Sequence, residues 1–325
     1  MKEKLNRLAR RITLRQLRAL AAVVETGTVT GAADRLAVTA PAISAQIRLL
    51  EDLSGLPLIE RQAQGMTATR AGRELLAAFE LIEAALSDCT AALESLCGGE
   101  GGPVAVGVTS TAKYFAPFAL AAFARQRPAV ELRLVVGNRS DTIAALERFE
   151  LDLAVMGRPP EHFAVERAAI GDHPHVVIAA PDHPLVRRRG LTLADLTAQT
   201  FLMREAGSGT RLLLERLLAE AGLAAQVGME ISSNETIKQA VMAGMGVAFL
   251  SAHTAAAEIG DGRLALLDIV GLPAIRQWFV VRRREKRLLP AAQELWNHLA
   301  STGARYLPVL PALRDMVGTR VEGPP

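Results

Sequence analysis

The stretch "RLAVTAPAISAQIRLLEDL", residues 35–53, decides how the first part of the chain folds. Its periodic apolar residues predict a helix with one face on a core, and these residues are Ile43, Ile47 and Leu50. The opposite face is small and largely neutral, and it comprises Pro41, Ser44, Ala45, Arg48 and Asp52. A helix that only meets water rarely carries such a face, so the pattern indicates close approach to another surface.

The residues before this helix predict two shorter helical segments. Apolar positions from Leu14 to Val24 have helical spacing, and Gly27 ends that helix. Thr30 is the predicted N-cap of the next, and Thr39 that of the helix described above. This arrangement is typical of a helix-turn-helix, whose second helix enters the major groove of DNA. An ordinary three-helix packing module remains the alternative on these residues alone.

The stretch "PLIERQAQGMTATRAGRELL", residues 57–76, predicts a two-stranded wing around Gly65, followed by a helix from Thr69 to about Leu96. The apolar residues of that helix are suited to pairing with a second copy, and they are Leu75, Phe79, Ile82, Leu86, Leu93 and Leu96. Cys89 and Cys97 are predicted to pack in it as small apolar residues, with a redox switch as the alternative. "CGGEGGP", residues 97–103, is a predicted hinge.

Charge and hydropathy limit the class of protein. Residues 1–73 carry 12 Lys or Arg against 6 Asp or Glu, which favours a polyanionic partner. No window reaches the 18 or so uninterrupted apolar residues of a membrane span, and no signal-peptide pattern follows the basic start. A cytoplasmic protein of two or three domains, without a membrane partner, is expected.

The rest of the chain alternates strands and helices. "VAVGVTS" to "LDLAVMG", residues 104–157, predicts strand-helix-strand-helix-strand with parallel pairing, and a second set follows up to "LALLDIV", residues 264–270. "AIRQWFVVRR", residues 274–283, predicts a strand that returns to the first half. The expected fold class is therefore α + α/β, with two α/β lobes and a ligand cleft between them.

Polar groups that follow strands or begin helices indicate where a ligand binds. Hydroxyls, backbone amides and basic side chains at such places favour an anion. The predicted effector-binding residues are Thr109, Ser110, Thr111, Lys113, Asn138, Arg139, Ser140, Arg158, Arg204, Ser208, Gly209, Thr210, Arg211, Asn234, Glu235 and Thr236. For any one of these, plain N-capping is the alternative.

The stretch from "LRQLRALAAVVETG" to "GMTATRAG", residues 14–72, closely resembles the winged helix-turn-helix of LysR-type transcriptional regulators, and the likeness extends to about residue 299. It implies a homodimer or homotetramer that binds a double-stranded operator, works with RNA polymerase and answers to a small effector. The implied DNA contacts are Thr39, Ala40, Pro41, Ser44, Ala45, Arg48, Arg61 and Gln64. Ala40, Ala45 and Gln64 depart from the common family pattern, so base preference is not carried over.

Two motifs, "REAGSGTR" at residues 204–211 and "SNETIKQAVMAGMGVAFLSAHT" at residues 233–254, resemble the CbbR-type regulators of carbon-fixation operons. This resemblance implies control of Calvin-cycle carbon-fixation genes. It also implies a phosphorylated effector, such as ribulose bisphosphate, phosphoenolpyruvate, NADPH or ATP. A LysR-type regulator that senses a non-phosphorylated carboxylate is the alternative.

Together these features predict a winged helix-turn-helix over 1–73, a linker helix over 74–97, a hinge over 98–103, an effector-binding domain over 104–303 and a tail over 304–325. The tail is expected to be partly disordered.

The sequence does not favour an enzyme, a metal-binding protein or a transport protein. Ser208 lies between glycines, but "AGSGT" is not a nucleophile elbow. His173, His175 and His183 lie beside prolines, which favours turns at the lobe boundary over a metal site. No catalysis, metal or cofactor is predicted, and the DNA-binding head opposes a solute-binding transport protein.

Overall fold

The computed structural model describes residues 11–96, 101–311 and 313. The chain forms two compact units, Met1–Cys89 and Thr90–Pro325. Cys97 and residues 98–100 of the predicted hinge lie outside the described residues, as do the first ten residues and most of the predicted tail. No helix in the described part is long and apolar enough to cross a membrane.

The first unit is a helical domain with a small β-hairpin. Its elements are α1 (Leu14–Thr26), α2 (Val29–Leu36), α3 (Ala40–Ser54), β1 (Ile59–Gln62), β2 (Gly65–Ala68) and α4 (Arg70–Leu96), of which α4 continues into the second unit. Ile43, Ile47 and Leu50 are buried in its core, as their spacing predicts. β1 and β2 pair antiparallel and form the predicted wing.

Two details of the first unit depend on chain reversals. Gly27 ends α1 in the left-handed region, with φ of 70°, as predicted. The next residue, Thr28, is extended and caps α2 by accepting a hydrogen bond from the Gly31 amide at 3.0 Å. The predicted cap, Thr30, is therefore wrong by two residues, because α2 begins immediately after the glycine turn and Thr30 already lies in its first turn.

The wing packs against the same glycine turn. The Met66 amide donates a hydrogen bond to the Gly27 carbonyl at 2.8 Å. A Cβ atom at Gly65 would lie 2.8 Å from that carbonyl oxygen, and Gly65 itself has φ of 125°. Close approach and backbone conformation both require glycine at this point.

Helix α4 changes character along its length. Phe79 is buried in the core of the first unit, and Leu75 packs against that core. Ile82, Leu86 and Leu93 are exposed. Cys89 is exposed as well, so the prediction that it packs as a buried apolar residue is wrong, because α4 is longer than the core it packs on. The side chain of Leu96 lies outside the described part.

The second unit has two α/β lobes. The elements of lobe 1 are β3 (Gly102–Thr109), α5 (Ala116–Gln126), β4 (Val130–Gly137), α6 (Arg139–Glu147), β5 (Leu153–Met156) and α10 (Pro290–Thr302). Those of lobe 2 are β7 (Thr200–Arg204), α7 (Gly209–Glu220), β8 (Gln226–Ile231), α8 (Asn234–Met242), β9 (Ala248–Ser251), α9 (Ala256–Gly260) and β10 (Ala265–Leu266). Two strands belong to both lobes, β6 (Val165–Ala179) and β11 (Ala274–Arg283).

The sheet topology follows the predicted pattern. β3 pairs parallel with both β4 and β5, and β7 pairs parallel with β8. β11 returns to lobe 1 as predicted, pairing antiparallel with β5 and with almost the whole length of β6. The C-terminal part of β6 pairs with β9 and β10 of lobe 2. The two long strands therefore join the lobes.

The region around His173 and the described part of the predicted tail differ from the predictions. His173 and His175 do not lie in a proline turn; they lie within β6, where Pro174 pairs with Ile275. Proline has no N–H to donate to a neighbouring strand. Pairing of β6 with β9 begins only at His175, so among the described residues no β9 partner lies opposite Pro174 and the proline is tolerated. Within the predicted tail, Leu310 and Leu313 are buried in the core of lobe 2, so these residues are ordered by apolar contacts.

Candidate functional site

The outward side of α3 and the wing carries the residues expected to contact DNA. Six of them are exposed and two, Ala40 and Ser44, are half-buried. Thr39 occupies the N-cap position of α3, but its side chain makes no capping hydrogen bond. Neither Arg48 nor Arg61 forms an ion pair among the described residues. Unpaired arginines beside short side chains leave this surface suited to a polyanion that lies close to the helix.

The second candidate site is a cleft between the two lobes that is open to solvent. Loops after β3 and β5, the starts of α6 and α7, and the strands β6 and β11 all contribute to it. The residues that line it are Thr109, Ser110, Thr111, Asn138, Arg139, Gly157, Arg158, His173, His175, Arg204, Ser208, Gly209, Thr210, Leu212, Leu213, Arg216 and Arg276. Ten of the sixteen predicted effector-binding residues are among them.

The charge of this cleft is one-sided. The described residues that line it include five arginines and no Asp or Glu. Three of these arginines are ion-paired with glutamates beside the cleft, Arg158 with Glu161, Arg204 with Glu205 and Arg216 with Glu220, whereas Arg139 and Arg276 form no ion pair among the described residues. Burial lowers the pKa of Arg139, and the neighbouring Arg158 lowers it further. Burial likewise lowers the pKa of Arg276, and then Arg216 and Arg158 add to the shift. The like charges repel one another, so an anion in the cleft is favoured electrostatically.

Arg204 differs from the other four arginines because it is buried and fully engaged. Its guanidinium donates to Glu205 at 2.8 and 2.9 Å, to the Asn234 side chain at 2.5 Å and to the Ser110 hydroxyl at 3.1 Å. Asn234 also donates to the Ser110 carbonyl at 3.2 Å. Ser110 follows β3 in lobe 1, and its two partners here, Arg204 and Asn234, connect it to lobe 2. Arg204 and Asn234 therefore hold the two lobes together.

Other predicted residues support the lobe boundary without lining the cleft. The Tyr114 hydroxyl donates to Glu235, and the Ser140 hydroxyl donates to the Gly207 carbonyl at 3.4 Å, so both contacts join the lobes. Burial, then the bond to Glu235, raise the pKa of Tyr114. Lys113 lies over the Tyr114 ring at 5.2 Å. Thr236 donates its amide to Ser233 in the cap of α8.

Arg211 was expected in the cleft, but the structure does not bring it there. Its guanidinium is held by Glu215, at 2.7 Å, and by Glu230. Arg216, on the same helix, lines the cleft instead. The reason is helical periodicity, because Gly209, Leu212, Leu213 and Arg216 of α7 line the cleft at i, i+3, i+4 and i+7, with Thr210 beside them in the first turn. That spacing was a usable sequence signal, and Arg211 falls off it.

The N-terminus of α7 also points its backbone amides toward this space. Ser208 is the N-cap, it is buried, and its side chain makes no capping hydrogen bond. Gly209 and Thr210 follow in the first turn and line the cleft. In contrast, Asn138 of lobe 1 is used in a capping box with Asp141. The start of α7 therefore offers free donors to an anion, in addition to the favourable helix dipole.

The floor of the cleft is made by residues that the sequence analysis assigned otherwise. Antiparallel pairing places Arg276 of β11 directly opposite His173 of β6, and His175 lies two residues further on the same face. His173 stacks on the Trp278 ring at 3.6 Å between centroids. Burial lowers the pKa of His175 to about 4 and holds that of His173 well below its usual range. These histidines are neutral near pH 7. The described residues contain no group of three His, Cys, Asp or Glu placed to hold a metal ion.

Comparisons with known proteins agree with this division of the chain. Residues 14–73 match the family of bacterial regulatory helix-turn-helix proteins of the LysR type, and residues 98–304 match the LysR substrate-binding domain. The chain is 52% identical over 301 residues to the HTH-type transcriptional regulator CbbR of Xanthobacter flavus, covering 92% of this chain and 90% of that protein. It is 43% identical over 294 residues to the RuBisCO operon transcriptional regulator of Allochromatium vinosum, covering 90% and 97%.

A solved structure is also similar to the second unit. It is the regulatory domain of Synechocystis PCC6803 CcmR in complex with 2-PG, with a TM-score of 0.60 and 36% identity, covering 62% of this chain and 97% of that one. The Xanthobacter flavus and Allochromatium vinosum proteins are transcriptional regulators, not enzymes, and the second regulates a RuBisCO operon. The chain therefore belongs to the LysR family of DNA-binding transcriptional regulators that respond to small-molecule effectors.

Proposed function

We propose that the chain controls carbon-fixation genes by binding operator DNA through α3 and the wing, and that a phosphorylated metabolite in the interlobe cleft alters that binding. The observation that carries the effector proposal is an arginine-rich cleft without a lining carboxylate among the described residues, in which Arg139 and Arg276 form no ion pair within the described part of the chain. The likeness to carbon-fixation regulators supports the choice of genes.

A phosphoryl group matches this cleft in charge and in hydrogen bonding. It carries about −1.5 to −2 charge near pH 7 and three strong acceptor oxygens. Arg139, Arg216 and Arg276 supply charged donors, and the start of α7 supplies amides. The similar CcmR domain was solved with 2-PG, which supports a small ligand in this fold. A single carboxylate would neutralise less of the clustered charge.

The link from ligand to DNA runs through the lobe boundary in this proposal. Ser110, Arg204 and Asn234 already join the lobes through hydrogen bonds, and all of them lie at or beside the cleft. A ligand that contacts Arg139 of lobe 1 and α7 of lobe 2 would change how the lobes close. Such coupling is reciprocal, so ligand and operator change each other's affinity by the same factor.

Assembly is part of the same proposal. Ile82, Leu86 and Leu93 form an exposed apolar series on α4 that a second copy would cover. We propose a homodimer built on α4, with a homotetramer as the form that spans an operator. RNA polymerase is the proposed partner at the promoter.

Thermal unfolding against a panel of metabolites tests the effector class. The panel sets ribulose bisphosphate, phosphoenolpyruvate, NADPH and ATP beside aromatic carboxylates and amino acids. A ligand at 100 times its Kd should stabilise the protein by about 2.7 kcal/mol, a shift of several degrees. Stabilisation by phosphorylated compounds alone is the expected result. Stabilisation by aromatic acids or amino acids alone would contradict the phosphorylated effector while leaving the family unchanged.

A further inference from the structure

The floor of the cleft contains a buried polar side chain without a partner. His173 is only 4% exposed, and neither of its ring nitrogens has a hydrogen-bond partner among the described residues. An unpaired buried donor or acceptor is unfavourable, because it has lost its hydrogen bonds to water without gaining others. Because His173 lines the cleft, a ligand in that cleft is the natural partner for its ring.

Several elements of the chain pack closely against the imidazole ring of His173. A Cβ atom at Gly157, just after β5, would lie 2.6 Å from Nδ1 of His173, so this position leaves room for the imidazole only as glycine. The Trp278 ring of β11 lies parallel to it within 16°. The orientation of His173 is therefore fixed by its surroundings before any ligand binds.

The titratable and charged neighbours of His173 determine when it is charged. They are His175 of β6, His253 of the turn after β9, and Arg276 of β11. Each of them lowers the pKa of His173 and so disfavours a proton on its ring. His253 accepts a hydrogen bond from the Trp278 indole at Nδ1, at 3.0 Å. An indole N–H only donates, so this bond keeps His253 neutral. The negative charge of Asp172 raises the pKa of His253, although burial lowers it more. Asp172 lies opposite Gln277 and accepts a hydrogen bond from its side-chain amide.

Two effects compete on a protonated His173. The face of an indole attracts a cation, and the Trp278 ring lies directly against the imidazole. Burial and Arg276 oppose the charge in the empty cleft. An anion beside Arg276 offsets the repulsion between Arg276 and a protonated His173, and it supplies a hydrogen-bond acceptor for the ring. The bound anion therefore favours the protonated form of His173.

We propose that His173 is a proton-coupled anchor for the anion: a dianionic oxyanion group binds beside Arg276 together with one proton from solvent, which protonates the His173 ring. The resulting imidazolium donates a hydrogen bond to an oxygen of the ligand. This inference rests on the proposed function of the cleft as an anion site. It adds that binding strengthens as the pH falls, because the bound form holds one more proton than the free form.

Sulfate is the probe for this test, because its charge does not change between pH 6 and pH 8. The full chain carrying Trp296→Phe retains Trp278 as its one tryptophan, and the fluorescence of Trp278 reports from the cleft floor. We expect the Kd for sulfate to fall as the pH is lowered from 8 to 6, by up to about tenfold per pH unit for one linked proton. Protonation of the stacked imidazole should also quench the fluorescence.

Two histidine variants in the same background locate the proton. His173→Gln should bind sulfate like its parent at pH 8 but at least about tenfold more weakly at pH 6, with a flat profile between. His162→Gln is the matched control, since His162 is 58% exposed and does not line the cleft, and it should keep the full pH dependence.

The outcomes separate this inference from the proposed function. If the Trp296→Phe parent binds sulfate with the same Kd at pH 6 and pH 8, the proton coupling is overturned and the anion site stands. This outcome does not depend on whether a histidine variant folds. An unchanged pH profile in folded His173→Gln would overturn the role of His173. Failure of both sulfate and the phosphorylated panel to bind would overturn the anion site and with it this inference.

Discussion

The DNA-facing surface and the interlobe cleft are both basic, but they carry their charge differently. Arg48 and Arg61 are exposed to water and separated by short side chains. In the cleft, Arg139 and Arg276 are half-buried beside other arginines, and their pKa values are lowered by burial and by those neighbours. Solvated charges cost little in the free protein and are screened by salt. Clustered, half-buried charges are unfavourable until an anion arrives, so the cleft gains more from each ligand charge.

The largest expected effect concerns the support beneath the cleft. Trp278 is fully buried and stacks on His173, whereas the buried core beneath α3 is aliphatic apart from Phe79 among the described residues. Trp278→Ala should lower the free energy of unfolding by about 3–5 kcal/mol, measured by urea denaturation followed by circular dichroism. Trp296→Ala removes the same side chain from a partly buried site and should cost clearly less. Equal losses would show that Trp278 is not the central support.

The next effect separates the cleft arginines from their neighbours. Arg276→Gln should weaken binding of the best phosphorylated ligand by about 1.5–3 kcal/mol, since it removes a charge-assisted hydrogen bond. Arg211→Gln is the matched control, because Arg211 is held by Glu215 and Glu230 outside the cleft. Isothermal titration calorimetry measures both. Loss of binding in Arg211→Gln with normal binding in Arg276→Gln would reverse the assignment.

A smaller effect is expected on the DNA-facing surface. Arg48→Ala should weaken operator binding and reduce the slope of log affinity against log salt by about 1, as for one lost phosphate contact. Arg35→Ala removes an exposed arginine that is paired with Glu25, and it should change the slope less. Fluorescence anisotropy with labelled operator at several salt concentrations measures this. Equal slopes for Arg48→Ala and the unaltered chain would exclude a phosphate contact by Arg48.

The smallest effect distinguishes two threonines at helix starts. Thr28→Ala should cost about 1 kcal/mol of stability, because it removes the hydroxyl that caps α2. Thr39→Ala should cost only a few tenths of that, because the Thr39 side chain makes no capping hydrogen bond. Urea denaturation measures both variants. A larger loss for Thr39→Ala would show that its hydroxyl has a structural role instead of being available to DNA.

What could be predicted from sequence depended on whether the signal was local. Helix α3 and the wing follow from apolar spacing and turn residues within about sixty positions, and both elements are confirmed. The cleft residues after β3 and at the start of α7 also follow from local rules. Arg276 and His173 are brought together only by pairing of β11 with β6, about a hundred residues apart. A proline between the two histidines made that strand resemble a turn.

The central claim is that an anion in the cleft and an operator on the DNA-facing surface influence each other. The direct test is a closed thermodynamic cycle with the full chain. Operator affinity is measured with and without the phosphorylated compound that gives the largest thermal shift, and the affinity for that compound is measured with and without operator. The account predicts the same factor, different from one, on both sides of the cycle. A factor of one on both sides would contradict it, because the cleft would then bind a ligand that DNA binding does not sense.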